Sequence, residues 1–224
     1  MLSRPLRTFR RHTCQMDDDA PYPRFASRGK AYVYVLPCRD EDLLKVGFSR
    51  DPFTRFSTLH RRFFDFFDLE RGLLLDAERV VHARRIERRL IEAFAEQRAM
   101  APLVVPVSAA GHTEWYRGVH ADVAALLEDI AETEGMDLGR SLFPWLRGYL
   151  EARGDLLHDW SARIVDTLDW ATHNAPDDPD TRRLSRALID TLDMFVAAGV
   201  DVESRLPRHV VDWYANGEHR RLFR

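Results

Sequence analysis

Two short runs near the start of the chain constrain its fold more than any other feature. AYVYVLP (31–37) and LLKVGF (43–48) are rich in aromatic and β-branched residues, and a polar bridge carrying Asp40, Glu41 and Asp42 separates them. Such residues suit a pleated, half-buried backbone, so each run reads as a strand and the pair as a hairpin. Asp51 followed by Pro52 is an N-cap with proline at the first helical position, which predicts a short helix to about residue 64. A third apolar run at 69–75 reads as the third strand. Residues 76–98 give the clearest helix, with Val80, Ala83, Ile86, Leu90, Ile91 and Phe94 at helical spacing. Two prolines, several valines and a glycine make 99–112 a loop or an irregular strand, TEWY (113–116) is an aromatic spot, and 119–134 is an amphipathic helix. The order β-β-α-β-α-α predicts an α/β fold: a small antiparallel three-stranded sheet flanked by helices.

After Gly135 the pattern is helical, over 138–153, 156–174, 180–198 and 207–214, with breakers at Gly154, at the PDDP stretch 176–179 and at Gly199. Trp145, Trp160, Trp170 and Trp213 fall at apolar positions and read as core. The expected division is a disordered or extended tail at 1–29, an α/β domain at 30–135 and an all-helical domain at 136–224. The tail mixes arginines with the acidic triplet 17–19 and has no apolar stretch of the kind that marks a secretory signal. No apolar run approaches the roughly 20 residues of a membrane span. Cys14 and Cys38 show neither metal-ligand spacing nor a disulfide framework. These features together point to a cytoplasmic protein.

The net charge of -3 is unevenly spread. Residues 1–100 hold 20 Lys and Arg against 15 Asp and Glu, a balance of +5, and the remainder holds 13 against 21, a balance of -8. The first half therefore suits a polyanionic partner, and arginine, which dominates its basic set, suits bidentate phosphate contacts. The acidic second half is unsuited to be the main nucleic-acid surface. Dimerisation, target selection, autoinhibition or a protein partner are the roles open to it.

Two placements carry chemistry. Tyr32 and Tyr34 project from one face of the first strand, with Val33 and Val35 on the other, packed face. They are either ordinary strand aromatics or neighbouring phenols of an exposed cleft. On the long helix, Glu87 projects between Phe94 and Val80, inside the apolar stripe. An ionised carboxylate there costs free energy unless it is paired or binds a metal. It is either a rim glutamate paired with Arg84 or Arg88, or a ligand.

Taken in order, YVYVL, LLKVGFSRDPFTRFSTL, IERRLIEAF and TEWY resemble the GIY-YIG nuclease superfamily, in particular its phage- and fungus-type branch, whose second signature reads K-[IV]-G. Tyr32-Val33-Tyr34 stands at the GIY position and Lys45-Val46-Gly47 at the YIG position. Ten residues separate Tyr34 from Lys45, and Arg55 follows ten positions after Lys45, as in that family. The resemblance covers about 100 residues. Departures are Tyr32 for the glycine of GIY, Lys45 for the tyrosine of YIG, and Ile91 where the branch carries a histidine after the helical glutamate.

The resemblance implies a metal-dependent endonuclease acting on nucleic acid, DNA before RNA. Glu87 would hold one Mg²⁺ or Mn²⁺, Arg55 would clamp the scissile phosphate, and Tyr34 would accept the proton of the attacking water in the field of Lys45. His60 is a further candidate base. Tyr32, Ser49 and Glu114 are candidate substrate contacts. The alternatives are a catalytically weak GIY-YIG-like module that only binds nucleic acid, and a protein-interaction protein that uses the domain as a scaffold.

Overall fold

A computed structural model describes residues 29–109, 113–174 and 178–216 of the 224. Among them the α/β part is built on six strands, all paired antiparallel: β1 (Ala31–Pro37), β2 (Leu43–Ser49), β3 (Leu73–Ala77), β4 (Arg98–Ala99), β5 (Trp115–Arg117) and β6 (Leu138–Gly139). Their order in the sheet is β4-β5-β2-β1-β3-β6. The expected three-stranded sheet is therefore wrong in size. Its three strands form the centre, and three further strands of two or three residues extend it on both sides. Strands so short carry no alternation that periodicity can register. The WY of TEWY belongs to one of them, and the third strand itself lies a few residues later than expected.

The helices are α1 (Pro52–Leu59), α2 (Phe63–Phe66), α3 (Val80–Ala93), α4 (His120–Glu134), α5 (Phe143–Glu151), α6 (Gly154–Asn174), α7 (Pro179–Ala197) and α8 (Arg208–Asn216). The helical character expected after Gly135 is present. Asp51 does cap α1, its carboxylate accepting from the Thr54 N–H, but the helix breaks at His60 and resumes as α2. α3 starts at Val80 rather than near Asp76, because Asp76 and Ala77 pair with Tyr32 and Ala31 in the ladder. α5 likewise starts late because Leu138 and Gly139 pair with β3. Gly135, at φ 65°, ends α4 in the left-handed conformation that glycine adopts at least cost.

Both faces of the sheet are covered. Ala31, Val33 and Val35, with Leu44, Val46, Leu73 and Leu75, pack under Val80, Ala83, Ile86 and Leu90 of α3 and under Val123, Leu127 and Ile130 of α4. The opposite face, carrying Tyr34 and Leu36, packs against Phe56, Leu59, Phe63 and Phe64. This second core runs without a break through Leu142, Leu146 and Leu150 to Leu188, Leu192, Phe195 and Val210. Of the two readings of the tyrosine face, the exposed one does not describe Tyr34, which is 1% exposed. A sheet with helices on both sides buries both sets of side chains, which is why its strands read as near-continuous apolar runs.

Candidate active site at the edge of the second strand

β5 pairs with β2 only from Leu43 to Lys45. One further bond, from the Val46 N–H to the Glu114 carbonyl, extends the contact. Beyond that point Gly47, Phe48 and Ser49 run past the end of β5, and five charged or phenolic side chains gather around them.

Tyr34 stands directly across from Gly47 in the β1–β2 register. A Cβ at Gly47 would lie 2.7 Å from the Tyr34 Cζ, so glycine is required for the ring to lie where it does. The ring meets Phe56 edge-on, with centroids 5.1 Å apart. Its hydroxyl accepts a hydrogen bond from Arg55 Nε at 3.0 Å, and Arg55 Nη1 donates to the Ala109 carbonyl. Asp51 starts α1 so that Arg55 falls one turn later, over the Tyr34 ring. Burial raises the Tyr34 pKa, and the neighbouring Arg55 offsets this only in part.

Lys45 shares this face and is 1% exposed. Its Nζ donates to Glu114 Oε2 at 2.6 Å, and Thr113 Oγ1 donates to Glu114 Oε1 at 2.6 Å. Burial lowers the Lys45 pKa despite that ion pair. Glu114 moves the opposite way. Burial opposes its charge, but the hydrogen bonds from Lys45 and Thr113 prevail and hold its carboxyl below the ordinary value.

Glu87 arrives from the other layer. α3 packs on the valine face, yet the Glu87 carboxylate reaches the strand edge, where the Phe48 backbone amide favours its charge. That N–H points away from β1, since alternate residues of a strand bond to opposite neighbours. Glu87 is half-buried, and its pKa is pushed up to about 7 by desolvation first and by the Glu114 charge second, with Lys45 and Arg84 opposing. Glu87 is thus half-buried rather than at the rim, with Arg84, one of the partners expected from the sequence, among the charges that favour its ionised form. Part of the arginine face of α3 serves structure, Arg85 pairing with Glu134 and Arg89 with Asp129.

The structure therefore brings together Tyr34, Lys45, Arg55, Glu87 and Glu114. It places the other candidates apart. His60 stacks on Phe66, centroids 4.5 Å apart, at the far end of α1. Ser49 Oγ accepts from the Asp51 N–H at 3.1 Å and donates to the Asp51 carbonyl, so it shapes the turn into α1. Tyr32 flanks Tyr34 beside Lys30, whose ammonium lies 5.4 Å from its ring centroid. Reading the sequence missed the Phe48 amide, the Ala109 carbonyl and Thr113. Backbone groups leave no residue-type signal, whereas Thr113 stood in the TEWY motif.

Residues 31–131 match the model of the T5orf172 domain family, a phage-type, nuclease-associated family. The match spans β1 to β5, α1 to α3 and most of α4, and stops short of β6 and the C-terminal helices. No curated protein and no solved structure matches the chain. No helix among the described residues is long and apolar enough to cross a membrane.

Proposed function

We propose that this protein is a metal-dependent endonuclease of the GIY-YIG type, hydrolysing phosphodiester bonds in nucleic acid, DNA before RNA, in the cytoplasm. The observation that carries the reading is Glu87: a half-buried carboxylate at a strand edge, with a pKa pushed up to about 7 and Lys45 and Arg84 close enough to favour its charge. A carboxylate held at that cost in a cluster of ionisable groups marks a functional position more often than a structural one.

The donor set limits the cation. Among the described residues no group of three or more His, Cys, Asp or Glu could hold a metal ion. This suits neither zinc nor calcium cages, but it fits Mg²⁺ or Mn²⁺, which keep most of their waters and accept one carboxylate plus substrate phosphate. Glu87 would hold such an ion, which when bound supplies positive charge to the scissile phosphate. Arg55, fixed by the Tyr34 hydroxyl and the Ala109 carbonyl, presents an oriented positive charge to a phosphate oxygen. Tyr34 would accept the proton of the attacking water; burial works against its phenolate and the neighbouring Arg55 favours it. Lys45, ion-paired with Glu114, supplies positive charge beside the site, and the Tyr34 hydroxyl also aligns Arg55.

One observation favours a second reading, a module that binds nucleic acid without cutting it: Tyr34 and Lys45 are each only 1% exposed. Incubating the full chain with plasmid, single-stranded DNA and RNA, with and without Mg²⁺ or Mn²⁺, separates the two. Metal-dependent nicking is expected. Retarded migration without cleavage under every condition would establish the binding module instead.

A further inference from the structure

The connection between β4 and β5 displays apolar side chains that the fold does not use. Met100 is 85% exposed, Leu103 99%, Val104 59% and Val107 83%. The two residues at the tip belong to a built turn rather than a loose one. The Val105 N–H donates to the Pro102 carbonyl at 3.0 Å, closing a four-residue turn with Leu103 and Val104 at its centre. Val105 and Ala109 are buried in the core, and the Ala109 N–H closes a second turn on Pro106. The two prolines and these anchors fix the segment, so Leu103 is held out in water by design of its neighbours. An exposed cluster of large apolar side chains on a fixed turn marks a contact surface.

Its position indicates the partner. The segment leaves β4 beside Trp115, the cross-strand neighbour of Lys45. It ends at Ala109, whose carbonyl holds Arg55, and the chain re-enters the fold through Thr113 and Glu114. Both ends of the segment that carries the turn are therefore tied to the residues around Lys45 and Arg55. Exposed Arg98 stands at its base. The exposed apolar side chains are a handful on one segment, against the roughly 20–30 residues a side of a stable protein interface, and their number suits the apolar wedges that enter a base step and unstack it.

We propose that Leu103 and Val104 form such a wedge, pressing against the bases of DNA bound at the site and favouring duplexes whose stacking is already weakened. This rests on the nuclease reading and adds a substrate preference to it. The backbone is held by the cationic side chains, and the wedge reads how easily the adjoining bases part.

The test uses the full chain in EDTA, so that no probe is cut. Binding is measured by fluorescence anisotropy to a perfect DNA duplex, to the same duplex with a two-base bulge and to its RNA counterpart, with 2-aminopurine at the bulge reporting unstacking. Wild type is expected to prefer the bulged DNA by about tenfold and to raise the 2-aminopurine signal. The double variant Leu103→Ser with Val104→Ser should bind the perfect duplex as before, lose the preference and leave the signal flat. Its melting temperature should be unchanged, since Leu103 has no packing to lose. If wild type binds DNA but the variant matches it on every DNA probe, the wedge is refuted and the nuclease reading stands. A preference confined to the RNA probe, or a loss of self-association in the variant in place of a loss of preference, likewise overturns it. If wild type binds no probe at all, the nucleic-acid reading falls and the wedge with it.

Discussion

Tyr34 and Gly47 face each other across the central pair of strands, and the phenol of one fills the space that the other leaves by having no side chain. The relationship ties a glycine that backbone geometry does not demand to the orientation of Arg55, through the hydroxyl that Arg55 bonds.

Gly47→Ala is therefore expected to destabilise the protein by about 1–3 kcal/mol, the usual cost of forcing atoms into a packed region. It should also weaken cleavage more than its stability loss explains, because the displaced ring no longer aligns Arg55. Combining it with Tyr34→Leu should cost less than the sum of the two changes, as expected for residues in direct contact. Thermal unfolding of the four proteins checks this, and simple additivity would show that the ring does not depend on the glycine.

Glu87→Gln keeps the shape beside the Phe48 amide but removes the charge. Cleavage should fall by several orders of magnitude, since stabilisation of phosphoryl charge is worth several kcal/mol and each ~1.4 kcal/mol is about tenfold. Stability should respond to pH in a set direction. The folded carboxyl titrates near 7, above its ordinary value of 4.5, so its favourable contribution is complete below 4.5 and is lost as pH rises through about 7. The variant should match wild type at pH 4.5 and exceed it at pH 8 by about 1–2 kcal/mol, allowing for partial solvent access. Denaturant melts at the two pH values measure the difference, and equal gaps at both would place the perturbation elsewhere.

Divalent cation should act on the same titration from the other side. A ligand that binds only the ionised carboxylate of the folded chain stabilises it and releases a proton on binding below pH 7. Adding Mg²⁺ should thus raise the melting temperature of wild type more at pH 8 than at pH 6, and leave Glu87→Gln unchanged at either. A Mg²⁺-induced shift of equal size in the variant would mean that the cation sits elsewhere.

The hairpin, α1, the α3 stripe and the helical second half were legible in the sequence because each rests on local signals: β-branched runs, an Asp-Pro cap, a 3.6-residue period. The outer strands were not. Arg98–Ala99 and Leu138–Gly139 are strands only because a neighbour offers unpaired backbone groups, which is a tertiary fact. The same holds for the site. Glu87 stood out as a carboxylate in an apolar stripe, and motif spacing grouped Tyr34, Lys45 and Arg55. The Ala109 and Phe48 backbone contacts, and the covering of the tyrosine face by later helices, needed the folded chain. His60 read as a base from proximity in sequence to Arg55, but α1 ends at Leu59 and the extended backbone of His60 turns its ring onto Phe66.

That covering governs what a fragment can do. Phe53 stacks on Tyr149 with centroids 4.3 Å apart, and Phe56 meets Trp145 at 5.6 Å. Arg62, at the start of α2, bonds Asp190 at 2.7 Å and pairs with Asp193 of α7 at 2.9 Å. A fragment of residues 29–135 would expose Phe53, Phe56, Phe63 and Phe64 and lose β6. It is expected to bind the dye ANS and to melt without cooperativity, whereas the intact chain melts sharply. In the intact chain Arg62→Ala should cost about 1–3 kcal/mol by removing its bonds to the partly buried carboxylates of Asp190 and Asp193, Arg61 still pairing with Asp190. A fragment that melts cooperatively would show that the α/β part folds without its helical cover.

The shortness of β5 also affects how the molecule meets its own copies. Gly47 to Ser49, roughly 10 Å at ~3.3 Å per residue, extend past the end of that ladder. A bare strand margin invites another chain to add itself as the next strand. Here Glu87 stands beside the Phe48 amide that an intruding strand would need first, and its carboxyl group lies in the intruder's path. The side chain proposed to hold the metal is thus also expected to shield the margin from a second chain.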